Sequence, residues 1–186
     1  MDAALYMKEH KAEFDVIIVD SSDPVGPAES LYTSEFYLNM HAALRPGGIV
    51  CTQGECQWSN LSLIKKVMGD AAQIYPTVDY AYTCIPTYPS GQIGFILANK
   101  GGNGKADMRS PRPIPASMTS SLRYYNSTIH AASFVLPNFA ADELVAVRAP
   151  NTSAAASSST TTLILSLAAG VAVGAVAAAV ALTKRK

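Results

Sequence analysis

Charge of one sign is the first thing this sequence lacks. Its 186 residues carry 14 Lys plus Arg against 14 Asp plus Glu, a formal net charge of zero, and only 15% of them are charged. Nothing in that balance favours a nucleic acid as partner. Cysteine is also scarce: Cys51, Cys56 and Cys84 are the whole set. Cys51 and Cys56 lack the short paired spacing of a zinc site, so core or bystander roles are expected and no metal. Histidine is limited to His10, His41 and His130, isolated from one another and read as surface or packing residues. Met1 to His10 shows no signal-peptide pattern, which with so few cysteines points to a reducing compartment.

What the chain has in excess is apolar length at one end. Leu163 to Leu182 reads LILSLAAGVAVGAVAAAVAL, without a charge, and Thr183-Lys184-Arg185-Lys186 follows. A helix of about 20 residues crosses a hydrocarbon core of about 30 Å. Asn151 to Thr162 is rich in Ser, Thr and Ala with no apolar period and reads as a tether. The expected layout is a globular domain over 1–145, a linker over 146–162, a transmembrane helix over 163–182 and a basic tail over 183–186. That order implies a single-pass C-terminal anchor with the domain in the cytosol. A glycolipid-anchor signal has a similar make-up but requires entry to the secretory pathway.

The most informative local string is Phe14 to Pro24, FDVIIVDSSDP. Val16, Ile17, Ile18 and Val19 form an unbroken β-branched run, as in a parallel strand buried on both faces. Asp20 ends it, and the Pro- and Gly-punctuated loop after it carries Asp23. In open α/β sheets ligands bind outside the C-terminal strand ends. Two carboxylates there suit a cation, a metal or an amine, or serve as a base; a polar turn with an Asp helix cap is the plainer alternative.

Further along, Glu29 to Leu44 repeats apolar residues at helical spacing and is stopped by Arg45-Pro46-Gly47-Gly48. Ile49 to Gln53 reads as the next buried strand. Asn60 is placed to cap a helix through Leu61, Ile64 and Val67 to Ala72. Val78–Cys84 and Gly91–Leu97 are strand candidates around a turn-rich Pro86-to-Gly91 loop. Lys100 to Ser121 reads as a surface excursion, after which the chain is expected to pack back on the domain.

Four strings stand in register: DSSDPVGPAESL from Asp20, QGECQW from Gln53, PTYPSGQIGF from Pro86 and YYNSTIHAASFVLP from Tyr124. In this order and spacing the chain closely resembles the spermidine synthase family of aminopropyltransferases, from about Asp2 to Phe139. The resemblance implies an α/β fold, the C-terminal part of a Rossmann-like, methyltransferase-type sheet whose last two strands form an antiparallel hairpin at the sheet edge. It implies aminopropyl transfer from decarboxylated S-adenosylmethionine to putrescine, giving spermidine and methylthioadenosine, with no metal or prosthetic cofactor and with synthase subunits as oligomeric partners. Asp20 is the implied general base. Asp20, Asp23, Tyr88 and Gln53 are the implied diamine-binding residues, with Glu55 facing the same cleft. Asp2, Ala3, Pro27 and Ala28 are implied at the nucleoside; Asp2 keeps its place although both glycines of the family's Gly-Asp-Gly turn are replaced. Family members begin with a small β-rich domain and a Gly-rich nucleoside loop, neither of which precedes Asp2. A sheet without the strands that normally precede it is expected to expose an apolar edge. The alternative is a membrane-anchored, non-catalytic partner of a full-length synthase.

Overall fold

The β-branched run does extend, as strand β1 (Phe14–Val19), behind a short helix α1 (Ala3–Glu9). The computed structural model describes residues 3–20, 30–88, 90–102 and 107–148. After β1 the described chain resumes in a 3₁₀ turn and enters helix α2 (Ser34–Ala43), where the Thr33 hydroxyl accepts a hydrogen bond from the Phe36 amide. Strand β2 (Leu44–Gln53), helix α3 (Leu61–Ala72) and strands β3 (Thr77–Cys84) and β4 (Gln92–Asn99) follow, then short helices α4 (Ala116–Thr119), α5 (Ser127–Ala132) and α6 (Asn138–Leu144). The sheet order is β1-β2-β4-β3; β1 and β2 are parallel, and β4 runs antiparallel to both neighbours. This is the expected mixed sheet ending in an antiparallel hairpin.

One sheet face carries α2 and α3. Ile17, Val50, Ile96, Ala98, Val78 and Tyr80 meet Phe36, Met40, Ile64, Val67 and Met68 there in the main core. Burial of the Val, Ile, Phe and Met side chains among these, each contributing about 1.5–3 kcal/mol, is what holds the helices on the sheet. On the opposite face Ala81, Met108 and Phe134 make a smaller cluster over β3 and β4. Met108 lies within the expected surface excursion and is nevertheless buried. The following segment packs back as expected, with Ala140 and Leu144 fully buried. His130 ties this layer together. Its Nε2 donates to the Met108 carbonyl at 2.8 Å, and its Nδ1 pairs with the Tyr125 hydroxyl at 3.0 Å.

Three expectations are corrected. β1 is not buried on both faces: it is the outer strand, with Val16 56% and Ile18 74% exposed and only Ile17 buried among its central residues. No described element covers that face beyond β2. The β3 edge contrasts with it, since the Tyr82 amide donates to the Ser133 carbonyl and Arg148 reaches the Tyr80 carbonyl. β2 begins at Leu44 rather than Ile49, because Gly47 adopts a left-handed φ of +80° and lets the Arg45-to-Gly48 step stay in the strand. A register shift between Phe14 and Val16 accommodates it, and Arg45 donates to Asp15 at 2.8 Å. Asn60 flanks α3 but makes no side-chain cap; its amide is engaged elsewhere.

The linker beyond residue 148, the 163–182 segment and the basic tail lie outside the described residues. Among the described residues no helix is long and apolar enough to cross a membrane.

Candidate active site

β1 and β2 point their C-terminal ends the same way, and a shallow cleft lies there on the helix-covered side. Val19 from β1, Thr52, Gln53 and Glu55 from the end of β2, Tyr37 from α2 and Ile64 from α3 line it. Its position follows from topology: parallel strands deliver their terminal residues to one edge, where backbone groups leave the ladder and polar side chains are tolerated. Asp20 directly follows Val19 and is exposed.

Gln53 and Tyr88, two of the residues expected to bind a diamine, meet here. Gln53 Nε2 donates to the Tyr88 hydroxyl at 2.6 Å. Tyr88 is brought in by the β3–β4 hairpin loop, which is closed by Ile85 N–H to Gly91 O and Gly91 N–H to Tyr88 O, both 2.9 Å. Gly91 takes the left-handed φ of +70° that the turn requires. The other end of the Gln53 amide, Oε1, is buried without a hydrogen-bond partner among the described residues. Whichever way the amide is turned, one polar end stays unmatched by the described residues.

Glu55 stands just past β2 with φ +55°, a conformation uncommon for a residue with a side chain. Gly54 N–H donates to Gly94 O at 2.8 Å, and Gly94 N–H donates to Glu55 O at 2.7 Å. Two residues of one strand end thus face one of the other, the arrangement of a bulge, which re-aims side chains. The Glu55 carboxylate lies toward the α3 side of the cleft, where Asn60 Nδ2 donates to it at 2.8 Å. Asn60 thus serves as a donor to Glu55 through Nδ2, and its side chain makes no cap bond. The Tyr80 hydroxyl, from the fully buried Tyr80, donates to the Glu55 carbonyl at 3.0 Å. Burial raises the Tyr80 hydroxyl well above the usual phenol range and raises Tyr37 too, so both stay neutral donors.

The structure therefore joins Gln53, Tyr88 and Glu55 at one strand edge, with Asp20 at the adjoining strand end. Ala3 is the exposed first residue of α1 and is not among the cleft's lining. Asp2, Asp23, Pro27 and Ala28 lie outside the described residues. Among the described residues no group of three or more His, Cys, Asp or Glu is arranged to hold a metal ion. The sequence reading missed Tyr37, Thr52, Tyr80 and Gly94. A signal existed for Gly94, since an isolated glycine within a strand marks a close backbone approach.

The mixed sheet, its helix-covered face and the strand-end cleft define a Rossmann-like α/β domain of methyltransferase type. The spermine/spermidine synthase domain family matches residues 1–107. Over 143 residues the chain is 50% identical to a spermidine synthase of Dictyostelium discoideum, covering 77% of this chain and 49% of that one. Over 148 residues it is 43% identical to putrescine N-methyltransferase 2 of Nicotiana attenuata, covering 75% and 40%. The crystal structure of a spermidine synthase in complex with the transition-state analogue AdoDATO matches with a TM-score of 0.66 at 32% identity, over 78% of this chain and 50% of that one. The chain belongs to the spermine/spermidine synthase family, and it spans about half the length of the curated relatives it matches.

Proposed function

We propose that this chain carries the amine-acceptor part of a spermidine-synthase-type aminopropyl-transfer site. The observation that supports this reading best is the Gln53–Tyr88 pair at 2.6 Å, with a buried amide end unmatched among the described residues, beside Asp20 at the adjoining strand end. A diamine that is cationic at both ends needs acceptors at each end. The Gln53 carbonyl oxygen, the Tyr88 hydroxyl oxygen and the carboxylates of Asp20 and Asp23 are acceptors of that kind.

In the proposed reaction Asp20 takes a proton from one putrescine ammonium, and the freed nitrogen attacks the aminopropyl carbon next to the sulfonium of decarboxylated S-adenosylmethionine. The new N–C bond forms as the C–S bond breaks, and methylthioadenosine leaves as a neutral thioether that needs no acid. The protein's task is deprotonation and in-line positioning. Decarboxylated S-adenosylmethionine is a cosubstrate; Asp2, Ala3, Pro27 and Ala28 are proposed at its nucleoside, and oligomerisation with synthase subunits is proposed with it. Membrane anchoring through 163–182 is a separate proposal that rests on hydropathy alone.

The 43% identity to a putrescine N-methyltransferase favours a second reading, with the same acceptor and a methyl donor. The test is to incubate the full chain with putrescine and either decarboxylated S-adenosylmethionine or S-adenosylmethionine and to identify products by mass spectrometry, with Asp20→Asn in parallel. Spermidine that disappears with Asp20→Asn supports the first reading, and N-methylputrescine the second. Transfer that survives Asp20→Asn overturns the base assignment. Absence of both product formation and putrescine binding by calorimetry overturns the acceptor-site reading itself.

A further inference from the structure

We propose that Tyr80 is a positioning residue for the acceptor site, its hydroxyl fixing the backbone turn at Glu55 that aims the Glu55 carboxylate at the cleft. The inference rests on the diamine reading above. Tyr80 lies in β3, one strand removed from the cleft, and its ring is enclosed in the main core. A core ring at that position needs no hydroxyl, and a buried hydroxyl is retained only where it finds a partner. Here the partner is the Glu55 carbonyl at 3.0 Å, in a residue held at φ +55°. Left-handed backbone in a residue other than glycine persists when its surroundings over-determine it.

Three neighbours do so. Gly94 N–H and the Tyr80 hydroxyl both bond the Glu55 carbonyl, and Asn60 holds the carboxylate. Gly94 is part of the same device. A Cβ there would overlap the Tyr80 hydroxyl and stand 2.5 Å from Glu55 O, so the absent side chain is what lets the hydroxyl reach its acceptor. Without the Tyr80 bond the carbonyl keeps a single donor, and the strained turn loses a constraint on the side-chain direction. The carboxylate would then spend less time at the cleft wall where Asn60 holds it and an ammonium can meet it.

The experiment compares the full chain with Tyr80→Phe, Glu55→Gln and the double variant, reading putrescine Kd by calorimetry and hydrogen exchange at the Gly94 amide. Tyr80→Phe keeps the core ring and is expected to fold, which circular dichroism checks. Loss of one buried hydrogen bond is expected to raise the Kd about three- to tenfold and to speed Gly94 exchange. In the Glu55→Gln background the same change is expected to move Kd by less than about twofold, because Tyr80 acts through that carboxylate. A lower melting temperature with unchanged Kd, or equal weakening in both backgrounds, would make Tyr80 merely structural and overturn the proposal. A wild-type chain that binds no putrescine overturns the acceptor-site reading, and this inference falls with it. Binding in the wild type and in Tyr80→Phe alike overturns only this inference.

Discussion

Replacing Gly94 with alanine isolates the close approach on which the strand-end geometry depends. Gly94 is buried within β4 and does not occupy left-handed backbone, so alanine suits its dihedral angles and any effect is steric. The added methyl would meet the Glu55 carbonyl at 2.5 Å and overlap the Tyr80 hydroxyl. Neither neighbour yields easily, since one is backbone hydrogen-bonded to Gly94 itself and the other is the tip of a rigid ring that is 0% exposed. Overpacking of this kind costs about 1–3 kcal/mol, and stranding the buried hydroxyl adds about 1–3 kcal/mol. The smaller entropy of the unfolded alanine chain offsets about 0.4–1 kcal/mol. The net expectation is a loss of about 1–5 kcal/mol, or roughly 3–20 °C in melting temperature for a domain of this size. Gly69→Ala is the control. It sits in α3, where the nearest atom to a new methyl is Val147 Cγ1 at 3.6 Å. Alanine there is expected to stabilise by about 0.5–1 kcal/mol through helix propensity. Thermal unfolding followed by circular dichroism reads both variants. If Gly94→Ala melts with the wild type while Gly69→Ala behaves as expected, the steric account of the Tyr80–Gly94–Glu55 contact is refuted.

Asp79 is buried and accepts from Arg109 at 2.6 Å and from Arg148 at 2.7 Å, so Asp79→Ala strands a largely buried guanidinium. A loss of about 3 kcal/mol is expected, at the low end for broken buried pairs because Arg109 is 39% exposed and regains water. Glu143→Ala, which breaks the exposed Lys65 pair at 2.7 Å, is expected to leave the melting temperature unchanged; equal effects in the two variants would refute the burial argument. Burial raises the hydroxyls of Tyr37, Tyr75 and Tyr80 above their ordinary value, so these are expected to stay protonated when exposed tyrosines ionise. Their contribution to stability is full below about pH 10, the unfolded value, and is lost as pH rises beyond it. Phenolate absorbance against pH should show a delayed class of tyrosines released together with alkaline unfolding, and a single simple titration in the folded protein would contradict this.

Much of the fold was legible because its signals are local. The Phe14–Val19 run, the helical period around Phe36 and Met40, and the turn chemistry of Pro86–Gly91 each occupy a few neighbouring residues and appear where expected. Gln53 and Tyr88 were likewise singled out by their strings, and the structure joins them across 35 residues of chain. Less legible was anything set by what packs from elsewhere. A β-branched run reports that a strand forms, but the coverage of its two faces depends on other elements, so Val16 and Ile18 are exposed where burial was expected. Asn60 carries the composition of a cap, yet its amide is turned to donate to a carboxylate placed by the bulge and makes no cap bond.

The sequence by itself determined the order of the elements, the polar residues at the strand ends and the kinship they carry, because periodicity, turn preference and motif spacing are written along the chain. Only the tertiary structure decided that Arg148 closes on Asp79 from 69 residues away, that β4 lies between β2 and β3, and that Tyr80, Gly94 and Glu55 share one carbonyl. The physical reason is that such contacts depend on the register of strands and on the space between packed side chains. Both are settled by the collapse of distant segments against one another, and neither leaves a periodic trace in the order of residues.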